Sequence, residues 1–177
     1  MAVRSGGEIY IVDTGNHRIQ VLGADGTFRR KWGKKGDGPG QLDRPHAVAL
    51  DSKGRVYIAS HGNRRIQKFT PEGKLIAHWN LPDPGKEGRH EPTKIILFGA
   101  KERLLVPDPR NHRIVIFDAE GKLQLTFGKR GKGQGEFDRP TGVALDGQGY
   151  LYVCDSGNHR IQRFRTASWV KRRRMRF

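Results

Sequence analysis

The residues best suited to chemistry in this chain of 177 amino acids are histidines that recur beside asparagine and arginine. Three of them follow a repeated asparagine directly, namely His17, His112 and His159, and Arg64 stands at the fourth such place. Neutral imidazole is the commonest metal ligand in proteins, so a zinc site is the first chemistry to consider. Zinc binds nitrogen at about 2.0–2.1 Å, and residues one repeat apart lie too far from one another to share an ion. The repetition therefore predicts a structural role for these histidines.

Basic side chains are the second group that could bind a ligand. Lys and Arg number 34 against 18 Asp and Glu, which makes this a basic protein with a formal net charge of +16. Two glycine-rich segments in the same phase, KKGDGPGQLDRP and KRGKGQGEFDRP, carry a cluster of them. Basic side chains displayed on one surface attract phosphate groups in a salt-dependent way. The alternative interpretation is that these segments are ordinary loops whose charges only keep the protein in solution. The predicted binding residues are Lys34, Lys35, Arg44, Lys129, Arg130 and Arg139.

An octet centred on asparagine sets the organisation of the whole chain. It reads DTGNHRIQ, SHGNRRIQ, DPRNHRIV and DSGNHRIQ, and its asparagines are spaced by 47, 48 and 47 residues. Such a period indicates one supersecondary unit copied four times. In each unit the arginine is predicted to pair with the aspartate that ends the preceding strand, except where Ser60 replaces it. The predicted structural residues are Asp13, Asn16, Arg18, Asn63, Arg65, Asp108, Asn111, Arg113, Asp155, Asn158 and Arg160.

Each unit contains four short apolar runs, which in the second unit are HAVALD, RVYIAS, RIQKFT and KLIAHW. Runs of about six residues, rich in Val, Ile, Tyr and Phe and bounded by Gly, Asp, Asn and Pro, are typical of strands. Four strands per unit of this length predict an all-β protein, a β-propeller of four-stranded antiparallel blades. The aromatic residues that close the units, Trp32, Trp79 and Phe127, are expected to fill the space between blades.

The motif N-H-R-I after a strand, followed one loop later by R-P-x-x-V-A-x-D, resembles the NHL repeat over about residues 7 to 165. The resemblance implies a propeller, usually of six blades, related to tripartite-motif RNA-binding proteins, amidating lyases and extracellular sensor domains of bacterial kinases. We expect about four blades here, near residues 7–33, 41–80, 90–128 and 136–166, and a disordered basic tail at 167–177. The first blade is expected to lack its innermost strand.

Four blades are fewer than the family usually has, and three interpretations remain open. The sequence is a fragment of a longer propeller, or an open arc whose edges are covered by self-association, or a compact four-bladed ring. An open arc leaves bare apolar blade faces, which favours association.

Other sequence features narrow the function. In amidating lyases a histidine after the loop proline binds zinc, and the resemblance carries this role to His46 alone, since the matching positions hold threonine. No nucleophile elbow, phosphate-binding loop or H-E-x-x-H motif occurs. The lone Cys154 is predicted to be a buried apolar residue. No apolar run reaches the length of a membrane span, and the compartment is left undetermined.

The sequence thus predicts a non-enzymatic binding scaffold whose inter-blade loops hold a protein or another acidic partner, with no cofactor. One alternative is RNA binding through the basic loops. The other is a propeller enzyme, similar to amidating lyases or lactonases, with a metal site that includes His46.

Overall fold

Four antiparallel β-sheets follow one another along the chain in the computed structural model, which describes residues 1–82, 95–98 and 102–166. In every sheet the strands lie side by side in chain order. The first sheet contains β1 (Ala2–Val3), β2 (Ile9–Asp13), β3 (Arg18–Leu22) and β4 (Phe28–Trp32), and the second contains β5 (Pro45–Leu50), β6 (Val56–Ser60), β7 (Arg65–Phe69) and β8 (Leu75–Asn80). The third contains β9 (Ile96–Phe98), β10 (Arg103–Asp108), β11 (Arg113–Phe117) and β12 (Leu123–Phe127), and the fourth contains β13 (Pro140–Leu145), β14 (Tyr150–Asp155) and β15 (Arg160–Arg165). The all-β prediction is confirmed.

The repeated asparagines end three short 3-10 helices, Thr14–Asn16, Pro109–Asn111 and Ser156–Asn158, between the second and third strands of a sheet. Each helix is followed by a histidine in the left-handed backbone region, with φ of 52° to 54°. A non-glycine residue rarely adopts this region, so the turn is a specific feature of the repeat.

The first sheet corrects one expectation from the sequence. Its innermost strand is present: Ala2 pairs with Tyr10 and Val3 pairs with Ile9. A strand of two residues is too short to show alternation of apolar and polar side chains, so no periodic pattern predicted it.

First strands of successive sheets contact one another, β1 with β5, β5 with β9 and β9 with β13. They therefore lie innermost, and β4, β8 and β12 lie at the outer edge. Each sheet has a leading face, turned toward the next sheet, and a trailing face, turned toward the preceding one. Tyr10 and Ile19 of the first leading face pack with Val56 and Ile58 of the second trailing face. The second and third sheets, and the third and fourth, meet through equivalent apolar clusters.

The aromatic residues that close the units lie between sheets. The Trp32 ring lies 6.3 Å from Phe69 of the next sheet, and the Trp79 ring lies 6.1 Å from Phe117 (centroid to centroid). Glycine allows this approach, because a Cβ added at Gly73 or Gly121 would come within 2.5 Å of the indole ring. Both glycines also have positive φ, which other residues rarely adopt.

A polar cluster stabilises the first sheet on its leading face. Arg30 donates to Glu8 at 2.6 Å and to the hydroxyl of Tyr10 at 3.0 Å. The hydrogen bond from Arg30, opposed by partial burial, holds the pKa of Glu8 at about 2. The same guanidinium reaches the next sheet, where it donates to the carbonyl of Pro71 at 3.1 Å.

Among the described residues, two faces have no neighbouring sheet, the trailing face of the first sheet and the leading face of the fourth. Cys154 lies on the latter and is exposed, so the prediction of a buried cysteine is wrong. Its counterpart in the second sheet, Ala59, is fully buried because the third sheet covers it. The described sheets therefore form an open arc.

The predicted tail at 167–177 lies outside the described residues. Within the described ranges no helix has both the length and the apolar character needed to cross a membrane.

Candidate functional site

Two long loops cross one end of the arc from the outer strand of a sheet to the inner strand of the next. We call residues 33–44 and 128–139 the entry loops. Each is closed by a backbone bond, from Leu42 N to Lys34 O at 2.9 Å and from Phe137 N to Lys129 O at 2.8 Å. Leu42 and Phe137 are fully buried, so an apolar side chain anchors each loop between the sheets.

Side chains of the octet hold the backbone of the second sheet's entry loop. Gln67 donates to Gln41 O at 2.6 Å and accepts from Gly40 N at 2.9 Å. Arg65 donates to Asp37 O at 2.9 Å, and Asn63 donates to Gly36 O at 3.3 Å. Carbonyl groups that would otherwise need water are thereby satisfied by the protein, which fixes the loop's shape.

The fourth sheet repeats this arrangement. Arg160 donates to Lys132 O at 2.6 Å and to Gly133 O at 2.7 Å, while Asn158 donates to Gly131 O at 2.8 Å. Gln162 donates to Glu136 O at 2.7 Å. The octet's polar residues therefore bind the entry loop of their own sheet, and this function explains why they recur with it.

Aspartates at the end of the second strand orient the arginines. The distance from arginine Nε to the carboxylate is 2.7 Å for Arg18 and Asp13, 3.0 Å for Arg113 and Asp108, and 2.7 Å for Arg160 and Asp155. Burial raises the pKa of Asp155, but hydrogen bonds from Asn158, the Asp138 backbone, Arg160 and Gln162 outweigh it and hold that pKa below its usual value. The carboxylate is therefore charged at neutral pH.

The second sheet lacks this carboxylate. Ser60 is fully buried, and neither its hydroxyl nor Arg65 Nε has a hydrogen-bond partner among the described residues. Arg65 still reaches the entry loop through Nη1. The hydrogen bonds from the octet to the entry loop are thus retained in this sheet although the aspartate is absent.

The repeated histidines bind the entry loop of the following sheet, a role that the sequence analysis did not assign. His17 Nδ1 accepts from Arg44 N at 3.1 Å, and His112 Nδ1 accepts from Arg139 N at 3.2 Å. Both pairs are 27 residues apart. That constant separation between N-H-R and D-R-P is the sequence signal that could have revealed the contact.

Of the predicted binding residues, Lys34, Lys35, Lys129, Arg130 and Arg139 are exposed on the entry loops, and Arg44 is half-buried. Acidic neighbours offset part of this charge. Lys129 lies 3.2 Å from Glu136, Arg139 lies 3.6 Å from Asp138, and Arg44 lies 3.9 Å from Asp43. Two entry loops belonging to the second and fourth sheets carry these residues, with the third sheet between them. They form two separate basic patches, one on each loop.

Polar side chains also lie at the start of the inner strands. The rings of His46 and His61 stack with centroids 5.1 Å apart. At the same place in the fourth sheet, Thr141 Oγ1 lies 2.5 Å from Ser156 Oγ. His46 was predicted from the sequence but His61 was not, because His46 lies in β5 whereas His61 lies in the turn after β6, and no spacing rule joins them. Within the described residues no group of three or more His, Cys, Asp or Glu is placed to hold a metal ion.

Comparison with known sequences places the chain among repeat proteins. Residues 137–164 match the family described as NHL repeat, and residues 3–106 match the SMP-30/Gluconolactonase/LRE-like region. The E3 ubiquitin-protein ligase TRIM71 of Rattus norvegicus is 49% identical over 41 residues, which are 23% of this chain and 5% of that protein. Protein brain tumor of Drosophila melanogaster is 35% identical over 78 residues, which are 43% of this chain and 8% of that protein. The matches thus span less than a tenth of these relatives.

Comparison with solved structures identifies the architecture. A streptogramin B lyase structure superposes with a TM-score of 0.73 at 22% identity, covering 93% of this chain and 50% of that one. At this identity the likeness shows the fold alone. The four sheets are blades of a β-propeller, and together they make up part of one.

Proposed function

Since the chain belongs to the family of NHL-repeat β-propellers, we propose that it is a non-enzymatic scaffold that binds an acidic protein surface through its entry loops. Loops on a rigid scaffold are the usual place for binding residues. The proposal concerns the two entry loops described above and their exposed basic side chains.

The observation that carries the proposal is the rigidity of the loops. Their carbonyl groups are held by Asn63, Arg65, Asn158 and Arg160. A surface that is already ordered loses little conformational entropy when a partner binds, which favours affinity. Basic residues of the loops that do not take part in these hydrogen bonds, such as Lys34 and Lys35, are exposed to solvent.

The residue types in the entry loops favour a protein partner over a nucleic acid. Proteins that bind single-stranded RNA usually add aromatic side chains on which bases stack. The only aromatic residue in either entry loop is Phe137, and it is fully buried. The entry loops therefore offer basic side chains but no exposed aromatic ring on which a base could stack. Such a surface suits the carboxylate groups of a protein partner, because the lysine ammonium group is a compact positive charge.

We expect the double substitution Lys34→Glu/Lys35→Glu to weaken binding of a fluorescein-labelled polyglutamate peptide by about tenfold or more, because opposite charges become like charges at the contact. The matched control is Lys74→Glu/Lys122→Glu, which makes the same change of net charge. Lys74 and Lys122 are exposed in the hairpin turns at the opposite end of the sheets. Fluorescence anisotropy at low and physiological salt is the measurement.

Equal loss of affinity in the two double variants would contradict a site on the entry loops, because it would mean that net charge alone governs binding. A labelled single-stranded RNA serves as the second probe in the same titration. Tighter binding of RNA than of the peptide, with a steep fall as salt rises, would replace the acidic protein by RNA.

A propeller enzyme with a metal site is the second candidate, and the stacked pair of His46 and His61 favours it. Catalytic zinc sites need three protein ligands, and the pair supplies two. We therefore expect purified protein to contain no stoichiometric zinc by atomic absorption. Zinc at one equivalent that is lost in His46→Ala and in His61→Ala would support the enzyme and contradict the scaffold.

A further inference from the structure

The three interfaces between the sheets follow one chemical pattern. On each leading face an isoleucine of the third strand, Ile19, Ile66 or Ile114, is fully buried. On each trailing face two apolar residues of the second strand cover it, and all are fully buried: Val56 and Ile58, Leu104 and Val106, Leu151 and Val153. The arc therefore builds the same contact three times.

The two uncovered faces hold the two halves of that same contact. Ile161, at the position of Ile19, is 66% exposed on the leading face of the fourth sheet. On the trailing face of the first sheet, Ile9 and Ile11 stand at the positions of Val56 and Ile58 and are half-buried. On the same face Val3 is 59% exposed and Phe28 is 57% exposed. Large apolar side chains exposed together in this way mark an interaction surface.

A polar contact accompanies the apolar one at two of the interfaces. The carbonyl eight residues after the repeat asparagine accepts a hydrogen bond from a basic side chain of the preceding sheet. Arg30 donates to Pro71 O at 3.1 Å, and Lys68 donates to Ala119 O at 2.7 Å. In the fourth sheet Arg163 occupies the position of Lys68, and its guanidinium lies over the ring of Tyr150 at 4.7 Å. In the first sheet Ala24 occupies the position of Ala119 and is exposed.

The size of a solved propeller indicates how many copies would close a ring. The sheets superpose on half of the streptogramin B lyase chain, a β-propeller of about twice this size. Two arcs joined end to end therefore contain the amount of sheet found in one such propeller. A head-to-tail contact that closes after two copies has no remaining open face.

We propose that the uncovered faces bind each other in a second copy of this chain, so that two arcs form one closed ring. The leading face of each fourth sheet packs on the trailing face of the partner's first sheet, and Ile161 becomes buried as Ile19 is. Arg163 donates to the carbonyl of Ala24 across the new interface. This association is independent of the entry-loop function proposed above.

The test is the mass in solution of the full chain by light scattering coupled to gel filtration. We expect the mass of two chains for the unchanged protein, and at least about a hundredfold weaker association for Ile161→Glu, because a carboxylate would be buried at both contacts. The control is Ile76→Glu, a partly exposed isoleucine on the outer strand of the second sheet, which should leave the dimer intact. Since Ile161 is exposed in a single chain, its substitution should not change the circular dichroism of the folded chain.

The thiol of Cys154 provides a second readout on the same face. Alkylation by iodoacetamide should be slow in the unchanged protein and in Ile76→Glu, and fast in Ile161→Glu. A single-chain mass for the unchanged protein would overturn the proposal and assign these faces to sheets of another polypeptide. A mass that grows beyond two chains with concentration would also overturn it, because it would show an open filament instead of a closed pair.

Discussion

Replacing Trp79 by alanine should lower the free energy of unfolding by about 3–5 kcal/mol, the range for removing a large aromatic side chain from a core. The indole lies between the second and third sheets, with its centroid 6.4 Å from Tyr57 and 6.1 Å from Phe117. Its other side packs on Gly121, a glycine that leaves no side chain to fill the space. The loss would therefore create a cavity at an interface that two sheets share. Urea denaturation followed by tyrosine fluorescence or circular dichroism gives the free energy.

Trp79→Phe is the informative companion variant, because phenylalanine stands at the same repeat position in the third sheet as Phe127. The indole Nε1 of Trp79 is buried without a hydrogen-bond partner among the described residues, so phenylalanine removes an unsatisfied donor as well as apolar surface. We expect a loss below about 2 kcal/mol. Ile76→Ala controls for the strand itself and should cost less than about 1 kcal/mol. Equal losses for Trp79→Ala and Ile76→Ala would show that the indole does not join the sheets.

The substitution Arg160→Met should cost about 3–5 kcal/mol, because it leaves the buried carboxylate of Asp155 without its cation. It also frees the carbonyl groups of Lys132, Gly133 and Glu136 from the guanidinium. Amide hydrogen exchange in residues 129–137 should therefore become faster, while exchange in the second sheet's entry loop should not change.

Arg18→Met is the matched control at the same repeat position in the first sheet. Asp13 retains 19% of its side-chain exposure, whereas Asp155 is fully buried, so solvent can replace the lost arginine there. The cost is expected to be much smaller than for Arg160→Met. If the two arginine variants lose the same free energy, burial of the aspartate does not govern the strength of the pair.

The pH dependence gives a further check on the Arg160 variant. The pKa of Asp155 is lower in the folded protein than its usual value of 3.8, so the hydrogen bonds that its carboxylate accepts, including those from Arg160, stabilise the fold above that pH. This stability is lost as the pH falls through the lowered value, because the carboxylate then takes up a proton. The difference between Arg160→Met and the unchanged protein should accordingly shrink in acid and be largest near neutrality.

The strands could be predicted from the sequence because several local sequence signals indicated the same structure. Turn-forming residues such as those around Asp51 and Gly54 separate short apolar runs, and the asparagine spacing fixes the phase of four copies. The order of strands within a sheet then follows, since neighbours joined by short turns pair antiparallel. Apart from the asparagine spacing, all of these signals lie within one repeat unit.

Contacts between units were harder to predict. The bond between His17 and the backbone of Arg44 joins two sheets, and the stacking of His46 on His61 joins two strands, so neither follows from local patterns. The exposure of Cys154 depends on whether another sheet covers it, and its own strand resembles the buried ones. The partner proposed for the entry loops likewise does not follow from the repeat pattern, because that pattern specifies only contacts within the chain.

The face-to-face packing of the sheets has a consequence for how such a chain can change in evolution. Each sheet is stabilised by the sheet before it and the sheet after it, and loss of the fourth would uncover Ile114 just as Ile161 is uncovered now. Duplication or deletion of one whole unit within the gene would therefore recreate the same pair of terminal faces. The number of sheets could therefore change by whole units, because every new interface would resemble the existing ones. Duplication of part of a unit would instead leave a strand without a pairing partner and would be selected against.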